Sequence, residues 1–103
     1  MDGTDQELVF VNFEFEITGD LLQSLIDDVL AAGLPEGRTN SLVQTLRNAM
    51  RSVDERKVTP AINQVQAFKK EVSAQRGKGV TPAAADRWMA LADDVIRGLE
   101  PLL

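Results

Sequence analysis

Between Leu22 and Leu99, apolar residues recur at three- and four-residue spacing in four short runs, each bounded by glycine or by a Thr-Pro pair. That period turns one stripe of a helix toward a core, which constrains the chain to a helical bundle. In the first run, Asp20 stands as a candidate N-cap before Leu21, Leu22, Leu25, Ile26, Val29 and Leu30. Gly33 stops it, and Leu34-Pro35 turns the chain. The second runs from near Thr39-Asn40 to about Val53, with Leu42, Leu46, Ala49, Met50 and Val53 on one face. Thr59-Pro60 opens the third, whose stripe is Ile62, Val65, Phe68 and Val72 and whose end is Gly77. Thr81-Pro82 opens the fourth, whose apolar stripe is Ala85, Trp88, Met89, Ala92, Val95, Ile96 and Leu99, with Gly98 weakening the last turn. Connections of about four to eight residues place neighbouring helices antiparallel. The expected fold is all-α, a compact four-helix bundle of two helical hairpins over residues 20–103.

The first nineteen residues have another character. Asp2, Asp5, Glu7, Glu14 and Glu16 stand there with no Lys or Arg, so this segment carries the whole net charge of −5, and residues 20–103 are neutral. Three of the five aromatics, Phe10, Phe13 and Phe15, lie in the same segment. Val9, Val11, Phe13, Phe15 and Ile17 alternate with Asn12, Glu14 and Glu16, the pattern of a half-buried strand. A strand over residues 8–17 is therefore expected, with a module boundary near Gly19-Asp20. A lone strand leaves its backbone unpaired. It would belong to an upstream β-domain, pair with a second copy of this chain to give a homodimer through residues 8–17, or else pack alone across the helices or fray.

Little here supports chemistry. The chain has no His, Cys or Tyr, which removes disulfides, thiolate metal sites and the usual proton shuttles. Its serines have no imidazole to activate them. Asp27-Asp28 and Asp93-Asp94 look like paired acids, but adjacent helical residues point about 100° apart and do not converge on one atom. They read as solvated helix faces. Asp2-Gly3-Thr4-Asp5 lacks the ligand spacing of a calcium loop. No catalytic, metal-binding or cofactor-binding residue is expected. No apolar run reaches the roughly 18–20 residues that cross a bilayer.

Charge distribution is more informative. Residues 47–78 carry a local +5, while residues 20–46 and 79–103 come to −3 and −2. The middle hairpin is basic and the outer helices are acidic. Arg47, Arg51, Arg56, Lys57, Lys69 and Lys70 form a candidate basic patch, led by Arg47 and Arg51 one turn apart. Its partner would be another protein, a neighbouring domain or an anionic cell-wall polymer. Alternatively, the charges complement one another as surface ion pairs. Nucleic acid is not expected, because no basic stripe is interleaved with aromatics and the chain is acidic overall. Trp88, the only tryptophan, falls on the apolar stripe and reads as core, with Met89 beside it pointing elsewhere.

Leu34-Pro35-Glu36-Gly37-Arg38-Thr39-Asn40-Ser41-Leu42, then Leu46, Ala49, Ala61-Ile62-Asn63, Ala67-Phe68, Val72, Ala74-Gln75-Arg76-Gly77-Lys78 and Thr81 stand in an order and spacing that resembles the FIMAH-type domain. The resemblance covers about 80 residues, Asp20 to Leu99. It implies a small all-helical module of large secreted or surface bacterial proteins, often placed behind β-domains, with no established catalytic residues. Three departures stand out: Lys69 replaces an isoleucine, Asp54-Glu55-Arg56-Lys57 replaces a turn rich in Gly and Asn, and Trp88 replaces a smaller aliphatic. The expected function is a non-catalytic interaction or accessory module at the cell surface or outside the cell, within a larger protein. A structural spacer or oligomerisation element pairing through residues 8–17 is the alternative, and an intracellular helical adaptor a third.

Overall fold

The computed structural model describes the backbone from Thr4 to Leu103 and side chains from Phe13 onward. Four helices follow one another: α1 (Thr4–Ala31), α2 (Glu36–Asp54), α3 (Val58–Gln75) and α4 (Pro82–Leu99), with a final 3-10 turn at Glu100–Leu102. Helix α1 packs against α2 and α4, and α3 packs against the same two helices, which closes a four-membered ring around one core. The all-α bundle is as expected.

The strand is not. The described part of residues 8–17 lies within α1, which passes through Gly19 and Asp20 without a break. The rest of the alternating pattern, residues 8–12, lies outside the described side chains. Phe15 and Thr18 are buried and extend the stripe of Leu22, Leu25, Ile26 and Val29 backwards at helical spacing. The period-two alternation of Phe13, Phe15 and Ile17 thus coincides with a helical register in which only Phe15 faces inward. Asp20 is an exposed residue in mid-helix, not a cap. Leu30, expected in the core, is 53% exposed, because the bundle-facing position of that turn is taken by Val29.

Other helix ends follow their local chemistry. Thr81 caps α4 as expected, its hydroxyl accepting from the Ala84 N–H at 3.2 Å, with Pro82 in the first turn. Helix α3 starts two residues earlier than its Thr59-Pro60 pair suggests, from an N-cap at Lys57. Pro60 sits in the first turn, where a missing N–H leaves no helical bond unmade. Helix α2 starts at Glu36, directly after Pro35. Gly33 and Gly77 adopt φ of +70° and +77° and end α1 and α3. After α3 the chain wraps back on itself, with the Gly79 and Val80 N–H groups both donating to the Gln75 carbonyl at 3.1 Å.

The α2–α3 turn has the left-handed residue that the basic sequence there conceals. Arg56 takes φ +61°, where glycine or asparagine would sit without strain. Its guanidinium lies over the Phe15 ring, 4.5 Å from the centroid, and donates to the Val53 carbonyl at 3.3 Å. The turn therefore clasps the first half of α1. On the opposite flank, α4 comes close to α1: a Cβ added at Gly98 would lie 3.3 Å from Thr18 Oγ1. The glycine that weakens the last turn of α4 is what allows this approach. Trp88 is buried at 2% exposure and Met89 only partly so, as the apolar stripe predicts.

Two stability tests follow from this packing. Phe15→Ala should destabilise the bundle by about 3 kcal/mol in urea unfolding, from burial and cavity terms together. Coupling to Arg56→Ala in a double-mutant cycle should be about 0.5–1 kcal/mol. Additive effects would show that the ring contact contributes nothing. Gly77→Ala should lose about 1 kcal/mol through its positive φ. Gly79→Ala should lose less, although an added Cβ would meet the Arg38 guanidinium, because only the mobile end of that arginine must yield.

Candidate interaction surface

The six basic residues expected to form one patch are dispersed around the bundle. Arg47 and Arg51 line a hollow between α1 and α2 with Gln23, Ile26, Leu30, Met50 and Asp54. Lys69 and Lys70 line a different hollow, between α3 and α4, with Met89. Because α2 and α3 are neighbours and each has its other flank against α1 or α4, these two hollows open on opposite sides of the molecule. Arg56 and Lys57 belong to the α2–α3 turn, where Arg56 covers Phe15 and Lys57 pairs with Glu55 at 3.2 Å. A charge sum taken along the chain cannot see this, since residues close in sequence face different sides.

Five of the eleven cations form ion pairs among the described residues. Lys69 pairs with Asp93 and Arg97 with Asp94. Arg87 reaches Asp28 at 2.9 Å, and Arg76 holds Asp86 through both carboxylate oxygens at 2.9 and 3.1 Å. The two Asp-Asp pairs therefore go to separate partners: Asp28, Asp93 and Asp94 each meet a cation, and Asp27 accepts from Gln23 at 3.0 Å. Among the described residues, no group of three acids is placed to hold a metal ion. Nor is any helix there long and apolar enough to cross a membrane.

Arg47 and Arg51 stand apart from this matching. Both are exposed, and neither makes an ion pair or side-chain hydrogen bond among the described residues. Arg38, Lys70 and Lys78 share that freedom, but none of them has a second free cation one turn away on its own helix. The hollow at α1–α2 is about 370 Å³, with Ile26, Met50 and the exposed Leu30 on its floor and wall. Two cations four residues apart on one helix lie about 6 Å apart along its axis. The hollow combines an apolar strip with a pair of free guanidinium groups, a combination the sequence conceals because Leu30 falls on the apolar stripe of its helix.

A family model for the FIMAH domain matches residues 20–97. The chain belongs to the FIMAH domain family. Neither the curated proteins nor the solved structures yield a match. The FIMAH match opens at Asp20, where the composition changes, yet α1 does not stop there. Phe15 and Thr18, upstream of the matched FIMAH residues, are buried in the bundle.

The Arg76–Asp86 pair gives a direct electrostatic test. The hydrogen bond from Arg76 holds the Asp86 carboxyl below its ordinary value, and Asp86 in turn raises Arg76. With the folded value depressed, the pair's contribution is present above the unfolded carboxyl value and fades as pH falls through the folded one. Carboxyl NMR should show Asp86 titrating at lower pH than an unpaired aspartate, and Arg76→Ala should move the midpoint upward. An unmoved midpoint would mean that the pair does not persist in solution.

Proposed function

We propose that this FIMAH domain is a non-catalytic interaction module of a secreted or cell-surface bacterial protein, supporting attachment or assembly through the α1–α2 hollow. The observation that carries the reading is the unmatched pair Arg47 and Arg51 beside exposed Leu30. Ion pairs join α3 to α4 and α4 to α1, so two free cations one turn apart over apolar surface at the α1–α2 seam are where an outside partner gains most. The matching ligand chemistry is an acidic, partly apolar protein segment: carboxylates about 6 Å apart for the arginines, with aliphatic or aromatic side chains between them. An anionic polymer would satisfy the arginines and leave Leu30, Ile26 and Met50 uncovered. The resemblance to modules of large surface proteins supports an assembly role.

The test is an NMR titration of the labelled chain with two probes. One is a helical peptide with glutamates four residues apart separated by leucines, and the other is polyglutamate, an anionic polymer without apolar groups. The peptide should shift Leu30, Met50, Arg47 and Arg51, and the double change Arg47→Glu with Arg51→Glu should weaken binding at least about tenfold. A stronger response to polyglutamate would transfer the reading to an anionic polymer. Shifts confined to the α3–α4 hollow would overturn the choice of surface.

A further inference from the structure

The geometry points to a second copy of this chain as an occupant of the α1–α2 hollow, seated by the first half of its own α1. This inference rests on the proposed reading of that hollow as an interaction site. Of the four exposed large apolar residues among the described ones, Phe13 (56%), Ile17 (39%) and Leu30 (53%) all lie on α1. The fourth, Leu103, is at the C-terminus. Phe13 and Ile17 do not sit at random. With Glu16 and Asp20 they form an i, i+3, i+4, i+7 stripe, and all four are exposed. The stripe faces solvent on the side of α1 opposite buried Phe15, Thr18 and Leu22. Helix α1 is thus apolar on two faces over this stretch, and only one of them is covered by the bundle.

Stripe and hollow are chemical complements. The stripe offers two carboxylates four residues apart, interleaved with Phe13 and Ile17. The hollow offers two guanidinium groups four residues apart beside Leu30, Ile26 and Met50. Both charge pairs span about 6 Å along their helices, so Glu16 and Asp20 of one copy match Arg47 and Arg51 of the other in register as well as in sign. The segment supplying the stripe has no basic residue through position 19, so it is repelled by a parallel copy of itself and drawn to the arginines.

The order along α1 sets the symmetry. The stripe spans residues 13–20, and the α1 wall of the hollow spans residues 23–30, so one follows the other on the same helix. For each copy to place its stripe in the other's hollow, the two α1 helices must run in opposite directions about a two-fold axis between those stretches. Both stripes and both hollows are then filled, and the assembly closes as a dimer with no open end. This antiparallel helix contact differs from the strand exchange expected of the sequence alone.

Sedimentation analysis of the full chain over a wide concentration range, at low and high salt, reads the assembly directly. The wild type should approach twice the monomer mass as concentration rises, and high salt should weaken the association. Two charge-reversed chains sharpen the test: Arg47→Glu with Arg51→Glu, and Glu16→Lys with Asp20→Lys. These residues are exposed, and circular dichroism checks that the helices persist. Each reversed chain alone brings like charges together and should remain monomeric. Their equimolar mixture restores opposite charges at both contacts and should form a heterodimer. A monomeric wild type at every concentration, or a mixture that stays monomeric, overturns the inference. So does a dimer indifferent to the arginine reversals. If the wild type is monomeric while the acidic peptide still maps to Leu30 and Arg51, the hollow stands as a site and only its occupant is wrong.

Discussion

Helical stability in a protein comes mostly from packing an amphipathic face, so each helix here depends on burying one stripe against its two neighbours. The core is built for close approach. Ala49, Ala61, Ala85 and Ala92 are fully buried among Leu22, Leu25, Leu42, Leu46, Val65, Phe68 and Val95. Small side chains bring the helix axes together, and the larger ones fill the space between. Once that core is formed, the position of every polar side chain on the outside follows. Arg47 and Arg51 look toward α1, and Lys69 and Lys70 toward α4, because Leu42, Leu46, Phe68 and Val72 must look inward.

Helix α1 meets this constraint differently from its partners. It has 28 residues, against 18 or 19 in the others. Its upper part is held at two points outside the family match. Arg56 caps Phe15 from the α2–α3 turn, and Gly98 lets α4 approach Thr18. The turn keeps a strained left-handed arginine rather than a glycine, and the ring contact is the compensating interaction. A sequence departure in the turn and an aromatic residue upstream of Asp20 thus have one joint explanation. Neither makes sense alone.

What could be read in the chain divides along physical lines. Core stripes in the last three helices and the Thr81 cap are legible because helical period and local hydrogen bonding are written in nearby residues. Trp88 falls to the core for the same reason. Three features are not local. Whether Phe13, Phe15 and Ile17 alternate across a strand or wind around a helix depends on whether the inward position at Phe15 finds a core to enter, and Arg56 supplies one side of it. Whether Leu30 is buried depends on where α2 crosses. Where the six cations fall is not local either, because net charge along residues 47–78 projects onto one line what the bundle distributes over two opposite hollows.

The ion pairs show which seam is left open. Lys69–Asp93 and Arg76–Asp86 join α3 and its end to α4, and Arg87–Asp28 joins α4 to α1. Side-chain hydrogen bonds from Ser41 to Glu71 and from Ser52 to Gln64 join α2 to α3. Among the described residues no side-chain bond joins α1 to α2, although both helices carry charged groups along that seam. Exposed pairs of this sort add at most about 1 kcal/mol each, so the bundle loses little by leaving one seam unpaired. A partner at that seam, unlike one at the other three, displaces no side-chain bond among the described residues. Its carboxylates meet arginines that have only water to lose, and its apolar groups cover Leu30, which the fold leaves in solvent.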